Sequence, residues 1–305
     1  MAKKSLHSHR STEPSATTVH FPVGESPTAP CDCGRPGGVC TCGSTPTDRP
    51  AFVYALGKLE VRIPSLAIEK ELIQATKSEV TRGMTDQETL QVVLSEPDNR
   101  YLARLVCWVF TIGGDPAFIL SPRDSSDLNS LLDAFKRGPD PTDFNLLIGV
   151  RGPTSPPEMC NGLVLPMVTV DQLYSFPLGA LLSEIEMPEG ANAKTFTASA
   201  EELFWRIQRL TENRGADDNH RALNYLAVRV DSIYTLFANK QTENSSLSAL
   251  NVRSRVTAGG RKLVDVVLTF RNRQSGLTEK YYARVDVSEL FPFLVNTISP
   301  YYDLD

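Results

Sequence analysis

Four of the six cysteines lie close together, as Cys31, Cys33, Cys40 and Cys42. Four thiolates are the ligand number of a structural zinc site, and the glycines between the two pairs allow the tight turns that wrapping one ion requires. The pairs are spaced C-x-C, whereas zinc knuckles commonly use C-x₂-C, so cysteines without a metal remain the alternative. We predict that these four cysteines bind one structural zinc ion.

The two remaining cysteines offer other roles. Ligands two residues apart are strained around a tetrahedral ion, so Cys107 or Cys160 is an alternative ligand to that zinc. Otherwise Cys107, between Val106 and Trp108, is predicted to be a thiol of the core. Cys160 lies in a proline-stiffened loop between two apolar strands, which either presents side chains to a substrate or simply turns the chain.

A catalytic cysteine needs a nearby base, and histidine is scarce in this chain. Because three of the four histidines precede residue 50, His220 is the candidate partner of Cys160. A histidine at the start of a helix is also an ordinary capping or half-buried residue. The same scarcity disfavours a Ser-His-Asp triad, and the chain has no G-x-S-x-G, Walker A or G-x-G-x-x-G motif. The sequence therefore favours a protein that is not an enzyme.

A second candidate site is a basic region near the C-terminus. Eight basic residues stand there against Asp265 and Glu279: Arg253, Arg255, Arg261, Lys262, Arg271, Arg273, Lys280 and Arg284. A basic sheet face in an acidic protein is a candidate site for an anionic peptide, and a solvated strand face is the alternative.

The chain divides into a tail and a domain. Residues 1–50 are dominated by Ser, Thr, Pro, Gly and His, which cannot bury a core, whereas residues 51–305 read as one folded domain. The domain opens with a strand in which Gly57 indicates a bulge or bend. Strands and helices then alternate irregularly, so we predict an α+β fold with mixed or antiparallel sheets.

Local signals place the other elements of the domain. Ser65 and Thr85 are predicted N-caps, the second in a capping box with Glu88. Apolar spacings of three and four residues predict a helical pair, one helix ending at Gly215 and the next spanning about 219–240. Alternating apolar residues after them predict a C-terminal β-meander.

Bulk properties exclude several classes of partner. The net charge of −5 argues against non-specific nucleic-acid binding. Without an apolar run of about 20 residues or a secretory signal, we expect a cytoplasmic protein that does not enter membranes. Aromatic and apolar residues near the C-terminus suggest a homodimer, with docking onto the chain's own core as the alternative: Phe291, Pro292, Phe293, Leu294, Tyr301 and Tyr302.

Long irregular strings across residues 51–305 resemble one family. The strings are AFVYALGKLEVRIPSLAIEKEL, NRYLARLVCWVFTI, IGVRGPTSPPEMCNGLVLPMV, NHRALNYLAVR, RKLVDVVLTFRNRQ, EKYYARVDVSELFPFL and SPYYD. They resemble the C-terminal domain of the cyanobactin maturation proteases PatA and PatG. In that family the domain has no known function and is appended to subtilisin-like proteases that cut and cyclise ribosomally made peptides.

The resemblance implies a standalone accessory protein in the biosynthesis of modified peptides, not a protease by itself. It would bind a precursor or modified peptide, or a partner biosynthetic enzyme. The alternative is a peptide-modifying enzyme that uses Cys160 or the basic sheet. A third reading makes the cysteine-rich tail itself a substrate of heterocyclisation. The resemblance extends to a cysteine pair before this domain, broadly like Cys40 and Cys42, whereas Cys31 and Cys33 depart from it.

Overall fold

The computed structural model describes residues 51–76, 83–135, 142–187, 191–210 and 213–302. The tail of residues 1–50 and its four cysteines lie outside the described residues. In the described ranges the chain is α+β, as predicted, with helices and both antiparallel and parallel strand pairs. No helix in these ranges is long and apolar enough to cross a membrane.

The elements have the following bounds. The strands of the described ranges are β1 (Ala51–Arg62), β2 (Cys107–Ile112), β3 (Asp115–Ser121), β4 (Asp143–Thr154), β5 (Pro166–Pro177), β6 (Ser245–Val256), β7 (Lys262–Asn272), β8 (Thr278–Asp286), β9 (Phe293–Leu294) and β10 (Ser299–Pro300). The α-helices are α1 (Leu66–Ala75), α2 (Asp86–Ser95), α3 (Ser125–Phe135), α4 (Leu178–Ser183), α5 (Ala193–Gln208), α6 (Asp218–Arg229) and α7 (Ser232–Thr242).

The first five strands close into a barrel in the order β1–β2–β3–β5–β4, in which only β3 and β5 run parallel. The first half of β1 pairs with β4 and its second half with β2. Gly57 lies where β1 changes partner, and a Cβ atom there would stand 2.2 Å from the carbonyl oxygen of Thr111. The strands therefore approach more closely at this point than a side chain allows.

The barrel strands and helices α1–α3 share one apolar core. Trp108 and Phe135 meet there edge to face, with ring centroids 5.7 Å apart. The indole Nε1 of Trp108 donates to the carbonyl oxygen of Ala103 at 2.9 Å. The buried ring therefore has its single polar group satisfied.

A second sheet has the strand order β10–β8–β7–β6, and β9 also pairs with β8. The run β6–β7–β8 is the predicted meander. Its inward residues, such as Val266 and Ala283, form one core with helices α4–α7 and with outward residues of β1 and β4, among them Tyr54. Because side chains alternate along a strand, β1 serves both cores: Val53 belongs to the barrel core and Tyr54 to the helical core.

The predicted N-caps are confirmed. The Ser65 side chain accepts a hydrogen bond from the amide of Ile68, and Thr85 forms a complete capping box with Glu88. Each cap pairs an amide of the first helical turn that would otherwise lack a partner.

The predicted helix over 219–240 is wrong, because the chain breaks it into α6 and α7. Val230 has φ −125° and ψ 86°, outside helical values, and is buried in the helical core. A buried β-branched residue with a non-helical backbone thus separates two helices whose apolar spacing looks continuous in the sequence.

The predicted cap at Gly215 is also wrong, because α5 ends earlier, at Gln208. Gly215 has φ +65°, and a Cβ atom there would stand 2.4 Å from the carbonyl oxygen of Tyr54. The amide of Tyr54 donates to the carbonyl oxygen of Gly215 at 2.9 Å. Glycine is needed here so that the segment after α5 can lie against β1.

Candidate basic peptide-binding face

The outer side of the second sheet carries several of the basic residues that the sequence predicted as a candidate site. On β7, Val264 and Val266 face the helices, so Asp265 between them faces outward. The register places Arg253 of β6 and Arg284 of β8 directly opposite Asp265 on its two sides. One carboxylate therefore lies in a row between two arginines.

Asp265 is held by guanidinium groups. Arg284 contacts it through two nitrogens, Nε at 2.6 Å and Nη2 at 2.9 Å, and Arg255 adds a contact from Nε at 3.2 Å. The Asp265 side chain is 1% exposed, whereas that of Arg255 is 56% exposed. The hydrogen bond from Arg284 to Asp265 raises the pKa of the Arg284 guanidinium. The acid is buried beneath cations that themselves reach solvent.

Tyrosines lie between these arginines. Arg253 donates from Nη1 to the Tyr301 hydroxyl at 2.7 Å and lies over the Tyr301 ring. The ring of Tyr301 meets that of Tyr282 edge to face at 5.7 Å, and Arg284 lies over Tyr282. We call the surface formed by Arg253, Arg255, Arg284, Tyr282 and Tyr301 the arginine–tyrosine face.

A second buried acid borders this face. Arg261 contacts the Asp286 carboxylate at 2.7 Å through Nε, and its guanidinium lies over the half-exposed ring of Phe293. Burial opposes ionisation of Asp286, but hydrogen bonds from Ser288 and Arg261 outweigh it and lower its pKa. Four arginines thus lie beside two buried carboxylates, which leaves an excess of two positive charges among these six side chains.

Not every basic residue of the predicted region belongs to this face. Lys262 reaches Asp218 of α6 at 3.0 Å, so it turns toward the helices. Glu279 pairs with Lys240 of α7 at 2.6 Å, on that same inner side. Asp286, which the sequence reading left out, joins the outer side. The alternation that places Tyr281, Ala283 and Val285 inward already contains the signal for it.

The structure corrects the predictions for Cys107 and Cys160. Their sulfur atoms form a disulfide, so Cys107 is not a core thiol and neither residue is free to ligate zinc in this state. Cys160 closes a 3₁₀ turn, Pro157–Cys160, on the outside of the barrel, where a small apolar cluster with Val109 and Ile119 surrounds the bond. With its sulfur bonded to Cys107, Cys160 is not available as a nucleophile.

The proposed base has another partner as well. Nδ1 of His220 contacts the carboxylate of Asp217 at 2.6 Å, at the start of α6. The Asp217 side chain also caps the helix by accepting from the amide of His220. Burial opposes ionisation of Asp217, but these contacts outweigh it and lower its pKa. Asp217 is thus the cap, and His220 is a half-buried residue of the first helical turn.

Within the described part of the chain, no group of three or more His, Cys, Asp or Glu side chains is arranged to hold a metal ion. The four cysteines predicted to bind zinc lie outside this part, so the zinc site stays a prediction. Cys107 and Cys160, the alternative ligands, are accounted for by their disulfide.

Residues 190–301 match the family model "PatG C-terminal". A solved structure titled "PatG Domain of Unknown Function" superposes with a TM-score of 0.66 at 19% sequence identity, over 82% of this chain and 98% of that one. Residues 190–301 are therefore similar to the C-terminal part of the PatG family. No curated protein matches this chain.

The family match covers the C-terminal part of the described chain. It runs from α5 to β10 and so includes both helices α6 and α7 and the whole arginine–tyrosine face. The structural match is broader than the family match and extends the likeness to most of the chain, which at this identity concerns the fold alone.

Proposed function

We propose that this PatG-domain protein is a non-catalytic recognition protein in the biosynthesis of ribosomally made, modified peptides, and that it binds an acidic peptide segment on the arginine–tyrosine face. The observation that carries the proposal is the excess of guanidinium groups over the two buried carboxylates in and beside that face. The relation to the PatG family supports the peptide-biosynthesis setting.

Arginine chemistry favours carboxylates as the ligand. A guanidinium group offers a planar set of donors that matches a carboxylate, and neighbouring aromatic rings hold it in place. Arg253 is positioned in this way by Tyr301. The net charge of −5 for the whole chain disfavours a polyanion such as nucleic acid, which would meet repulsion beyond this face.

The spacing of the arginines favours an extended peptide. Arg253 and Arg255 are alternate residues of β6 and lie on one side of the strand. Alternate residues of any extended chain repeat at roughly 6.6 Å. Acidic side chains at alternate positions of a bound peptide therefore match the arginines in turn.

Fluorescence anisotropy tests the proposal with a labelled peptide that carries glutamates at alternate positions. A charge-assisted hydrogen bond contributes roughly 1.5–3 kcal/mol, so we expect Arg253→Gln and Arg255→Gln each to weaken binding by about tenfold. Binding should also weaken as salt rises. A peptide with glutamine in place of each glutamate should bind far more weakly.

Arg62→Gln is the matched control, because Arg62 is a half-exposed arginine of β1 that pairs with Glu60 at 3.5 Å, outside the face. It should leave the affinity unchanged. Equal binding of the glutamate and glutamine peptides, or equal loss in Arg62→Gln and Arg255→Gln, would overturn the proposal. Precursor peptides that bind without any change in mass would support recognition without catalysis, and turnover by this protein alone would refute it.

A further inference from the structure

A cleft with a volume of about 640 Å³ lies between the barrel and the end of α5, remote in sequence from the arginine–tyrosine face. Residues from the middle of β1, the β2–β3 turn, the start of β4 and the segment after α5 line it. Clefts of roughly 300–1,000 Å³ are the size that small ligands occupy in proteins.

One wall of the cleft is apolar and aromatic. Leu56, Phe144 and Trp205 belong to it, and the rings of Phe144 and Trp205 lie 5.6 Å apart. Leu56 and Phe144 are buried, whereas Trp205 is only partly covered. A wall of this kind stabilises an apolar or aromatic group that enters the cleft, because the group leaves water on binding.

The rim beside this wall is positively charged. Arg209 lies over the Trp205 ring at 5.7 Å, and Arg214 follows in the same segment. Within the described ranges neither arginine forms an ion pair. Asp115, the first residue of β3, also lines the cleft and likewise has no ion pair in those ranges. Lys58 and Glu60 of β1 line it as well. The cleft therefore offers two guanidinium groups to an anion, while its two acids, Glu60 and Asp115, oppose additional negative charge.

The segment that carries Arg214 is fixed on both sides. Gly215 lies tightly against Tyr54, and Asn213 is 5% exposed and donates to the side-chain oxygen of Asn224 at 2.8 Å. The Oδ1 atom of Asn213 is buried and has no hydrogen-bond partner in the described part of the chain. An orphaned acceptor beside a cleft is stabilised when a donor, from a ligand or a water, moves in.

We propose that this cleft binds the C-terminal residue of a peptide whose last side chain is apolar or aromatic. The terminal carboxylate pairs with Arg209 and Arg214, and the last side chain packs on Trp205 and Phe144. Glu60 and Asp115 disfavour a second carboxylate, so the ligand has one negative charge on an otherwise neutral body. This ligand differs from the acidic segment proposed for the arginine–tyrosine face, and the two sites are independent.

Tryptophan fluorescence provides the test. The chain has two tryptophans, and Trp108 is buried in the barrel core, so a ligand-induced change reports on Trp205. The probe is an N-acetylated tripeptide that ends in phenylalanine with a free carboxylate. We expect it to change the emission with saturation, and the same tripeptide with an amidated C-terminus to bind at least about tenfold more weakly. A tripeptide ending in glycine should also bind more weakly.

Variants locate the effect. Arg209→Gln with Arg214→Gln should weaken the free-acid tripeptide by about tenfold or more, while Arg255→Gln on the arginine–tyrosine face should leave it unchanged. Both arginines of the cleft are exposed, so thermal melting should confirm that the double variant folds. Equal binding of acid and amide, equal binding by the double variant, or no emission change at millimolar tripeptide would overturn the proposal. If Arg255→Gln loses only the binding of the glutamate peptide, that result supports the proposal for the arginine–tyrosine face and does not bear on the cleft.

Discussion

At the scale of single residues, Arg221 has the most unusual position. Its side chain is 2% exposed and lies over the ring of Phe52. The guanidinium donates to the carbonyl oxygen of Val287 at 2.7 Å and to those of Glu289 and Leu290. Burial lowers the pKa of Arg221, and Asp218 partly offsets that effect. One cation of α6 thus satisfies the carbonyl groups of the loop that follows β8.

Arg221→Met should destabilise the protein by about 3 kcal/mol or more, because it leaves several buried carbonyl oxygens without donors. Urea denaturation followed by circular dichroism measures the change. Arg62→Met removes a half-exposed arginine and should alter stability by less than about 1 kcal/mol. Similar losses in both variants would mean that Arg221 is not the structural cation that its contacts indicate.

The sequence correctly predicted the N-caps at Ser65 and Thr85 and the inward residues of the meander, because these follow from local signals. It also found the arginines of the face. It did not find Arg221, since a helix position filled by an arginine looks solvated until the loop at Val287 is known to lie over it. The partners of Cys107 and Cys160 were hidden for the same reason: the two residues are 53 apart in sequence.

At the scale of elements, the loop between β4 and β5 depends on that disulfide. The loop is closed at its neck by Ser155, whose hydroxyl accepts from the amide of Leu165 at 3.1 Å and donates to the carbonyl oxygen of Leu163 at 3.2 Å. Beyond the neck, the bond from Cys160 to Cys107 fastens the loop to β2. The sequence allows this proline-rich segment either to turn the chain or to present side chains. The structure shows it attached to the barrel wall.

Replacing Cys107 and Cys160 with serine should lower stability by roughly 2–4 kcal/mol, because the bond restricts a long loop of the unfolded chain. Thermal melting with and without reductant measures the effect. The wild-type midpoint should fall on reduction, while that of the double variant should not move. A variant with serine at all four tail cysteines controls for effects of reductant on the tail. An unchanged wild-type midpoint after full reduction would contradict the prediction.

The order of the elements could be predicted from the sequence, but the pairing of distant strands could not. The antiparallel pair β4 and β5 and the meander join neighbours in sequence, so turn signals reveal them. Closure of the barrel depends on β1 meeting β4 and on β3 running parallel to β5, and both pairings join distant segments. Hydrophobic periodicity carries no information about such partners.

At the scale of the whole molecule, buried or bonded carboxylates link stability to pH. Hydrogen bonds from Lys240 and Tyr281 lower the pKa of Glu279, and the pKa values of Asp217 and Asp286 are also lowered. The folded chain therefore binds fewer protons than the unfolded chain in acid. The stabilisation from these three carboxylates is complete above their unfolded-state pKa values, about 4. It is lost as the pH falls through their lower pKa values in the folded chain.

We expect a melting temperature that is nearly constant between about pH 7 and pH 5 and that drops below about pH 4. Asp286→Asn should be less stable than wild type at pH 7 and should lose less on acidification, because one linked carboxyl is gone. Asp98→Asn, at an exposed position before β2, should follow the wild-type profile. Calorimetry across this range tests the prediction, and parallel acid profiles for wild type and Asp286→Asn would contradict it.

The tail is expected to bind one zinc ion through Cys31, Cys33, Cys40 and Cys42. Elemental analysis of protein purified without chelator should give about one zinc per chain, and serine at any of the four should reduce it. Serine at Cys107 or Cys160 should not, because those two sulfurs bond each other. A zinc content near zero in the wild-type protein would contradict this prediction. Intact mass distinguishes the reading of the tail as a substrate, since each cyclodehydration removes one water.

A homodimer is the expected assembly. Leu294 and Tyr301 dock onto the chain's own sheet, but the side chains of Phe291, Phe293 and Tyr302 stay 47%, 48% and 80% exposed. Exposed aromatic groups of this kind are enriched at interfaces. Light scattering at tens of micromolar should therefore give twice the chain mass, and Phe293→Ser with Tyr302→Ser should give the monomer. A monomeric wild type at that concentration decides against a dimer.

Because β1 contributes residues to both cores, it limits how this molecule can be truncated. A fragment confined to residues 190–301, the span of the family match, would retain the second sheet but lose Tyr54, Leu56 and the β4 residues that complete its core. Backbone amides in the first half of β1 should accordingly be among the last to exchange with deuterium, since no opening short of global unfolding frees both of its faces. Grafting the domain onto another protein then requires a junction upstream of Phe52, even where sequence comparison alone would place it about 140 residues later.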